Sequence, residues 1–264
     1  MQLNYLRHPC SHGWKLNGTG FGDNDVIKNI DKMRIIKAIA VVMLAVVVCV
    51  AVECKKENNV PKPSLDDLDY VDLGLPSGNL WAKCNVGASK PEDVGDYFAW
   101  GETETKDIYD WKNYKYSAVE DYIYKLNKYC TDSSMGFDGF VDGLTVLEPV
   151  DDAAFTNLGA GWRMPTEAEY NELYQNTTFV WTTLNGVDGR LLTGSNGNTI
   201  FFPATGFRLD GELICTGLGV YWSSSLQTEW QVAGWSLHFD DVNCHVCGTY
   251  ERSRGQCVRA VRNM

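Results

Sequence analysis

The sequence predicts an α+β domain in which two short helices are set among many short antiparallel strands. Three observations lead there. A complete helix start lies at Thr166–Tyr170. From Phe179 to Val261 the chain runs as short apolar segments broken by glycine- and asparagine-rich turns. Eight tryptophans fall after residue 54, enough aromatic bulk for a substantial core.

Tyr70-Val71-Asp72-Leu73-Gly74 turns through Pro76-Ser77-Gly78-Asn79 and returns with Leu80-Trp81-Ala82, a first hairpin. Tyr97-Phe98-Ala99-Trp100 reads as a further short aromatic strand. Residues 101–147 are different: Tyr109, Trp111, Tyr114, Tyr116, Tyr122, Tyr124 and Tyr129 alternate with lysines at weak periodicity. Gly-Asp turns interrupt them at Phe137-Asp138-Gly139 and Val141-Asp142-Gly143. This is a long irregular insertion, and ordered insertions of that length often carry binding residues. Half or more of its aromatics are expected to pack down onto the core.

Asp151-Asp152-Ala153-Ala154 opens a short helix, with Asp151 as its N-terminal residue. The second helix starts at Thr166, an N-cap whose amide Glu169 can reach back to bond. Glu167 and Glu169 suit the positive end of the helix dipole, and Tyr170, Leu173 and Tyr174 supply an apolar stripe. Strands are expected over Phe179–Thr183, Arg190–Leu192, Thr199–Phe202, Gly219–Ser223, Ala233–Phe239 and Cys257–Val261. Gly194-Ser195-Asn196-Gly197-Asn198 reads as a hairpin turn and not as a phosphate cradle. Strict alternation through Trp235–Asp240 places His238 on the solvent face of a strand, beside Ser236 and Asp240.

The first part of the chain is set aside from the fold. Met33-Arg34-Ile35-Ile36-Lys37 is a short basic segment, followed by an uncharged apolar run from Ala38 to Val52. That run is short of the roughly 20 residues a membrane span needs, and it fits a signal-peptide core. Residues 33–53 are therefore expected to be a signal segment and residues 1–32 an upstream extension from a mis-set start, a cytoplasmic tail being the alternative. Residues 54–69, with Pro61 and Pro63, are expected to be a polar tether, and residues 70–264 the folded domain.

Without residues 1–53 the chain holds 17 basic and 30 acidic residues, a net charge near −13. Such a surface repels phosphate backbones, so nucleic acid is excluded as a partner. Six cysteines remain beyond Cys54: Cys84, Cys130, Cys215, Cys244, Cys247 and Cys257. An exported compartment permits disulfides, but six cysteines allow fifteen connectivities. Cys244-His245-Val246-Cys247 has the spacing of half a zinc site, and only Cys215 and Cys257 stand ready to complete it. A disulfide, or unpaired thiols on a hairpin, is the reading preferred, with no metal and no cofactor expected. No serine, threonine or cysteine nucleophile pairs with either remaining histidine by motif, so no catalytic residues are assigned.

Two sets of residues carry resemblances to known proteins. A cysteine behind an apolar signal core and ahead of a charged tail, Glu53-Cys54-Lys55-Lys56-Glu57, resembles a bacterial lipoprotein signal, which implies lipidation of Cys54. Glu53 departs from the small residue such signals prefer there; Cys49 is the alternative, as is an uncleaved anchor. In the domain, Tyr70–Gly78 with Leu80–Ala88 opens an ordered series of blocks. Gly95-Asp96-Tyr97-Phe98-Ala99-Trp100-Gly101-Glu102, Asp151–Ala154, GWRMPTEAEY at 161–170, YWSSS at 221–225 and VRAVR at 258–262 follow. This series resembles the Fibrobacter succinogenes major paralogous domain family, abundant in exported lipoproteins of Bacteroides and relatives.

That family is similar to the C-terminal domain of the Legionella collagen-like adhesin and, more distantly, to formylglycine-generating enzymes. The resemblance implies a C-type-lectin-like fold with termini close together and a long irregular loop region. It also implies adhesion or ligand binding at the outer membrane, on the periplasmic or the cell-surface side, with a glycan or a protein as partner and the membrane reached through the lipid. Glu148-Pro149-Val150 ahead of Asp151 looks like a calcium-lectin motif but stands before the Thr166 helix, where lectins do not place it. Cys244 and Cys247 match neither the spacing nor the surroundings of the oxidising cysteine pair of the formylglycine enzymes. A structural envelope or pilus component, and less so such an enzyme, are the alternatives to binding. The expected contact residues lie between Thr228 and Arg254: Trp230, His238, Asp240, Asn243, His245, Tyr250, Glu251 and Arg252. Their aromatic faces suit sugar rings and their polar tips suit hydroxyls.

Overall fold

The computed structural model describes residues 69–121 and 123–264. The expected upstream extension, signal segment, lipidated Cys54 and nearly all of the tether lie outside the described residues. Within them the chain is mostly β, with two short α-helices and several small antiparallel sheets. No helix among the described residues is long and apolar enough to cross a membrane.

The first hairpin forms as expected: β1 (Tyr70–Asp72) pairs antiparallel with β2 (Leu80–Ala82), Val71 opposite Trp81. On the other side of β2 lies the last strand, β13 (Val261–Arg262), so the first and last strands share one partner. A second sheet is a meander of β5 (Thr178–Leu184), β6 (Val187–Thr193) and β7 (Thr199–Pro203). Asn185 and Gly186, at φ +50° and +88°, make the two-residue turn between β5 and β6. The expected turn at Gly194–Asn198 joins β6 to β7 through a bond from the Gly194 amide to the Asn198 carbonyl.

The third sheet has the order β10-β11-β12. Its strands are β10 (Gly219–Leu226), β11 (Ala233–Phe239) and β12 (Cys244–Glu251). Helix α1 (Ala153–Leu158) follows a short 3-10 turn at Pro149–Asp151, and helix α2 (Glu167–Asn176) packs across this sheet. Asp152 caps α1, accepting from the amides of Ala154 and Phe155, and from Met164 beyond the helix. Asp151, expected as the N-terminal residue of this helix, lies instead in the 3-10 turn before it.

The Thr166 capping box is formed in both directions. Thr166 Oγ1 accepts from the Glu169 amide at 3.2 Å, and Glu169 accepts from the Thr166 amide at 2.8 Å. Glu169 also takes a forked pair from Arg163 and a bond from Asn79 Nδ2, so this one carboxylate binds the helix start to two other segments. Tyr170 and Leu173 are buried as expected; Tyr174 is exposed and lies edge-on to Phe179 instead. Thr166→Ala should lower stability by about 1 kcal/mol, measured as a shift in the urea midpoint. An unmoved midpoint would show that the cap bond contributes nothing.

Residues 101–147 are irregular, as expected, apart from one small hairpin of β3 (Ser117–Glu120) and β4 (Ile123–Leu126). Tyr97–Trp100 is not a strand: it makes a single bridge, Phe98 to Gln256, and all four side chains are buried. Tyr109, Tyr114, Tyr116 and Tyr129 are buried too. These aromatics cover the face of the β10-β11-β12 sheet opposite α2. Trp222 Nε1 donates to the Phe98 carbonyl, Trp100 Nε1 donates to the Ser223 carbonyl, and Gly234 leaves no room for a Cβ against Trp100. Besides β3 and β4, three strands escaped the sequence reading: the hairpin of β8 (Phe207–Leu209) and β9 (Glu212–Ile214), and β12 itself.

Because both faces of the third sheet are covered, alternation along β11 does not sort its residues into core and solvent. Ser236, expected outside, is fully buried, and His238 is half-buried. A one-residue bulge in β12 completes the change. Ser236 pairs with Cys247 but Gly234 pairs with Tyr250, so Tyr250 turns onto the face that His245 and Cys247 occupy.

Candidate ligand-binding site

The residues expected to contact a ligand do not form one surface. Trp230 lies ahead of β11 and Asn243 beyond its end, and the seven residues of β11 span about 20 Å. Trp230 is exposed, and near it Glu251, opposite Ala233, pairs weakly with Arg254 at 3.5 Å. At the far end Asp240, Asn243, His238 and His245 cluster around the β11–β12 turn. Asp240 Oδ1 accepts from the amides of Val242 and Asn243 at 2.8 and 2.5 Å. Those amides, Asn243's above all, hold the Asp240 carboxyl below its usual range.

Two of the set are corrected. Arg252 is fully buried, not exposed: its guanidinium lies 4.9 Å over Trp100 and donates to the carbonyls of Lys128 and Tyr129. It fastens the irregular segment to the sheet, and sequence alone gives no sign of that. Tyr250 is also buried, brought inward by the bulge against Phe207 and His238.

His238 and His245 stand opposite each other, with His238 Nδ1 and His245 Nε2 3.3 Å apart. Burial, and next the neighbouring imidazole, push the His238 pKa down, so the ring is neutral at physiological pH. The six cysteines of the described residues are free thiols. Three positions apart on one strand, Cys244 and Cys247 point to opposite faces, so neither a disulfide nor a chelating pair forms between them. Cys244 faces the core, where burial pushes its thiol up to about 12.

The structure also assembles a cleft that no motif announced. Its walls come from residues 95–97, 105–109, Arg208 and Gly211, around a volume of about 520 Å³. Gly87, at φ +81°, makes it possible, because a Cβ there would collide with the Asp96 carboxylate at 2.2 Å. The Asp96 amide bonds the Val86 carbonyl, and its carboxylate lies over Gly87 at the edge of the cleft. Arg208 lies over the Tyr97 ring at 5.2 Å, and Lys106 Nζ lies 5.5 Å from the Tyr109 ring. Asp96, Asp107, Arg208, Tyr97 and Tyr109 thus line one concavity with Lys106, whose Nζ is held by Glu102 at 2.8 Å. Three segments contribute, one of them about a hundred residues from the others, so periodicity and spacing could not reveal it.

A second cleft of about 500 Å³ is more apolar and follows the 161–166 segment, between Phe155, Trp162 and Met164. Compared with known protein families, with curated proteins and with solved structures, the chain matches none.

Proposed function

We propose that residues 70–264 form a C-type-lectin-like binding module of the major paralogous domain family, held at the outer membrane by a lipid on Cys54. The module recognises a glycan or a protein ligand and carries out no reaction. The ordered motif blocks support the family reading. So do the two helices followed by antiparallel strands, and the meeting of first and last strands on β2.

The observation that carries the binding reading is the Asp96–Arg208 cleft. Sugar hydroxyls both donate and accept, so they are best held by carboxylates and cations placed side by side, while tyrosine walls take the apolar ring face. The acidic surface favours neutral or cationic ligands over anionic ones.

A glycan array probed with the full-length protein in detergent tests this. The expected result is retention of a limited set of neutral or amino sugars, weakened more than about tenfold by Arg208→Ala or by Asp96→Asn. Binding that survives both substitutions but falls with Trp230→Ala would move the site to the start of β11. No retention on any array would overturn the glycan reading and leave a protein ligand or an envelope role.

A further inference from the structure

We propose that His238, His245 and Cys247 form a three-ligand site for a zinc-class transition-metal ion on the β11–β12 hairpin. Their ligand atoms all lie within 4.8 Å of one another. The backbone register brings this about. His238 is directly opposite His245, and Cys247, two residues further along β12, points to the same face opposite Ser236. The chelating pattern is therefore His-x-Cys on one strand with a histidine on its neighbour. The Cys-x-x-Cys spacing plays no part, because Cys244 faces the other way.

The distances suit an ion. Two nitrogens bound to one tetrahedral zinc at about 2.0–2.1 Å stand about 3.3 Å apart. His238 Nδ1 and His245 Nε2 already have that separation, 3.3 Å. Strand pairing and the Tyr250 ring, 5.9 Å away and edge-on, hold the His238 imidazole in place. The thiol needs only to close to about 3.6 Å from each nitrogen, a side-chain rotation. His245 is exposed on an edge strand, so an ion can enter from solvent.

The donor set selects the metal. A thiolate with two imidazoles is too soft for calcium or magnesium and suits zinc or copper. As the ion binds, the Cys247 thiol releases its proton to solvent while both imidazoles give neutral lone pairs. Thr249 Oγ1, 3.6 Å from the sulfur, is placed to donate to the thiolate. Ligation through Nδ1 leaves the His238 proton on Nε2, which is buried without a partner. The site thus lacks the acceptor that usually orients a ligating imidazole and binds less tightly than a four-ligand structural site. Three protein ligands leave one coordination position for water or an incoming donor. The bound ion also clips the edge strand β12 to β11.

The test is titration of the full chain, purified in detergent, reduced and freed of metal, with zinc alone by calorimetry and with cobalt by absorption. We expect one ion per chain, a sulfur-to-cobalt charge-transfer band, and a melting temperature that rises with zinc. His245→Ala, at an exposed position, and Cys247→Ser should each weaken binding more than about tenfold. Cys247→Ser should abolish the charge-transfer band, and Cys244→Ser should change neither. A wild-type chain that takes up no zinc, or a band that persists in Cys247→Ser, would overturn the assignment. Circular dichroism of each variant separates loss of the site from loss of the fold.

Discussion

Replacing Arg259 with alanine will destabilise the domain by about 4 kcal/mol, lowering its melting temperature by roughly 10 °C. Arg259 is wholly buried, yet no carboxylate is bonded to it. Its Nε donates to Asn85 Oδ1 at 2.8 Å, Nη1 to the carbonyls of Ala82 and Lys83, and Nη2 to the Phe201 carbonyl at 3.0 Å. The guanidinium also lies 4.4 Å over the Phe202 ring. Burial pulls its pKa down, but a guanidinium stays charged in any folded protein at neutral pH. Alanine strands four acceptors in a dry core and opens a cavity, and each stranded group costs about 1–3 kcal/mol less what relaxation recovers. Arg259→Lys keeps the charge without the fork and should recover less than half of the loss. Urea denaturation followed by circular dichroism reads both variants. A loss under about 1 kcal/mol for alanine would mean that the carbonyl cage contributes little.

The second large effect belongs to Asp151. Its carboxylate, almost wholly buried, accepts from Lys115, Lys128, Tyr116 and Tyr129, the last two through their hydroxyls. Burial alone would raise its pKa, but the donors, led by Lys128, outweigh burial and bring it down to about 2. The folded value is below the unfolded one, so this stabilisation is complete above pH 4. It is lost as pH falls through about 2, and it is on the order of 2 kcal/mol. Asp152 works in the opposite sense. Burial raises its carboxyl above the usual range despite three amide donors, so its contribution is present at low pH and lost as pH rises through the raised value. At pH 7 Asp151→Asn should cost about 3 kcal/mol, since two lysines and two phenols lose their shared acceptor. Between pH 4 and pH 2 the gap between wild type and variant should narrow by about 2 kcal/mol. A gap that stays constant over that range would show that Asp151 is not the group titrating.

Local features were legible in the sequence because they rest on neighbouring residues. The Thr166 cap, the Tyr70–Ala82 hairpin and the Gly194–Asn198 turn are each written within about a dozen positions. The packing of Tyr109, Tyr114 and Tyr129 was legible too, because buried aromatic bulk was the simplest use for it. Long-range features were not legible. His238 and Ser236 alternate as surface residues do, but Ser236 lies on the face that Trp100 packs against at Gly234, and His238 is half-covered by His245 and Tyr250. Tyr250 changes sides through a bulge that carries no composition signal. Arg252 and Arg259 look like surface cations, and their carbonyl partners are set by folding alone. The Asp96–Arg208 cleft and the His238–His245–Cys247 cluster both depend on register or on chain crossings. The chemistry proposed for this molecule rests on those.

The sharing of β2 by the first and last strands has a mechanical consequence. Both β1 and β13 run antiparallel to β2, so they run parallel to each other. Tension between the two chain ends therefore pulls β1 from its first residue and β13 from its last, in opposite directions along the strands. The hydrogen bonds on the two sides of β2 are loaded together in shear and do not peel open one at a time. Resistance to such a pull is greatest in this geometry, and two of the shortest strands of the fold act as its clasp.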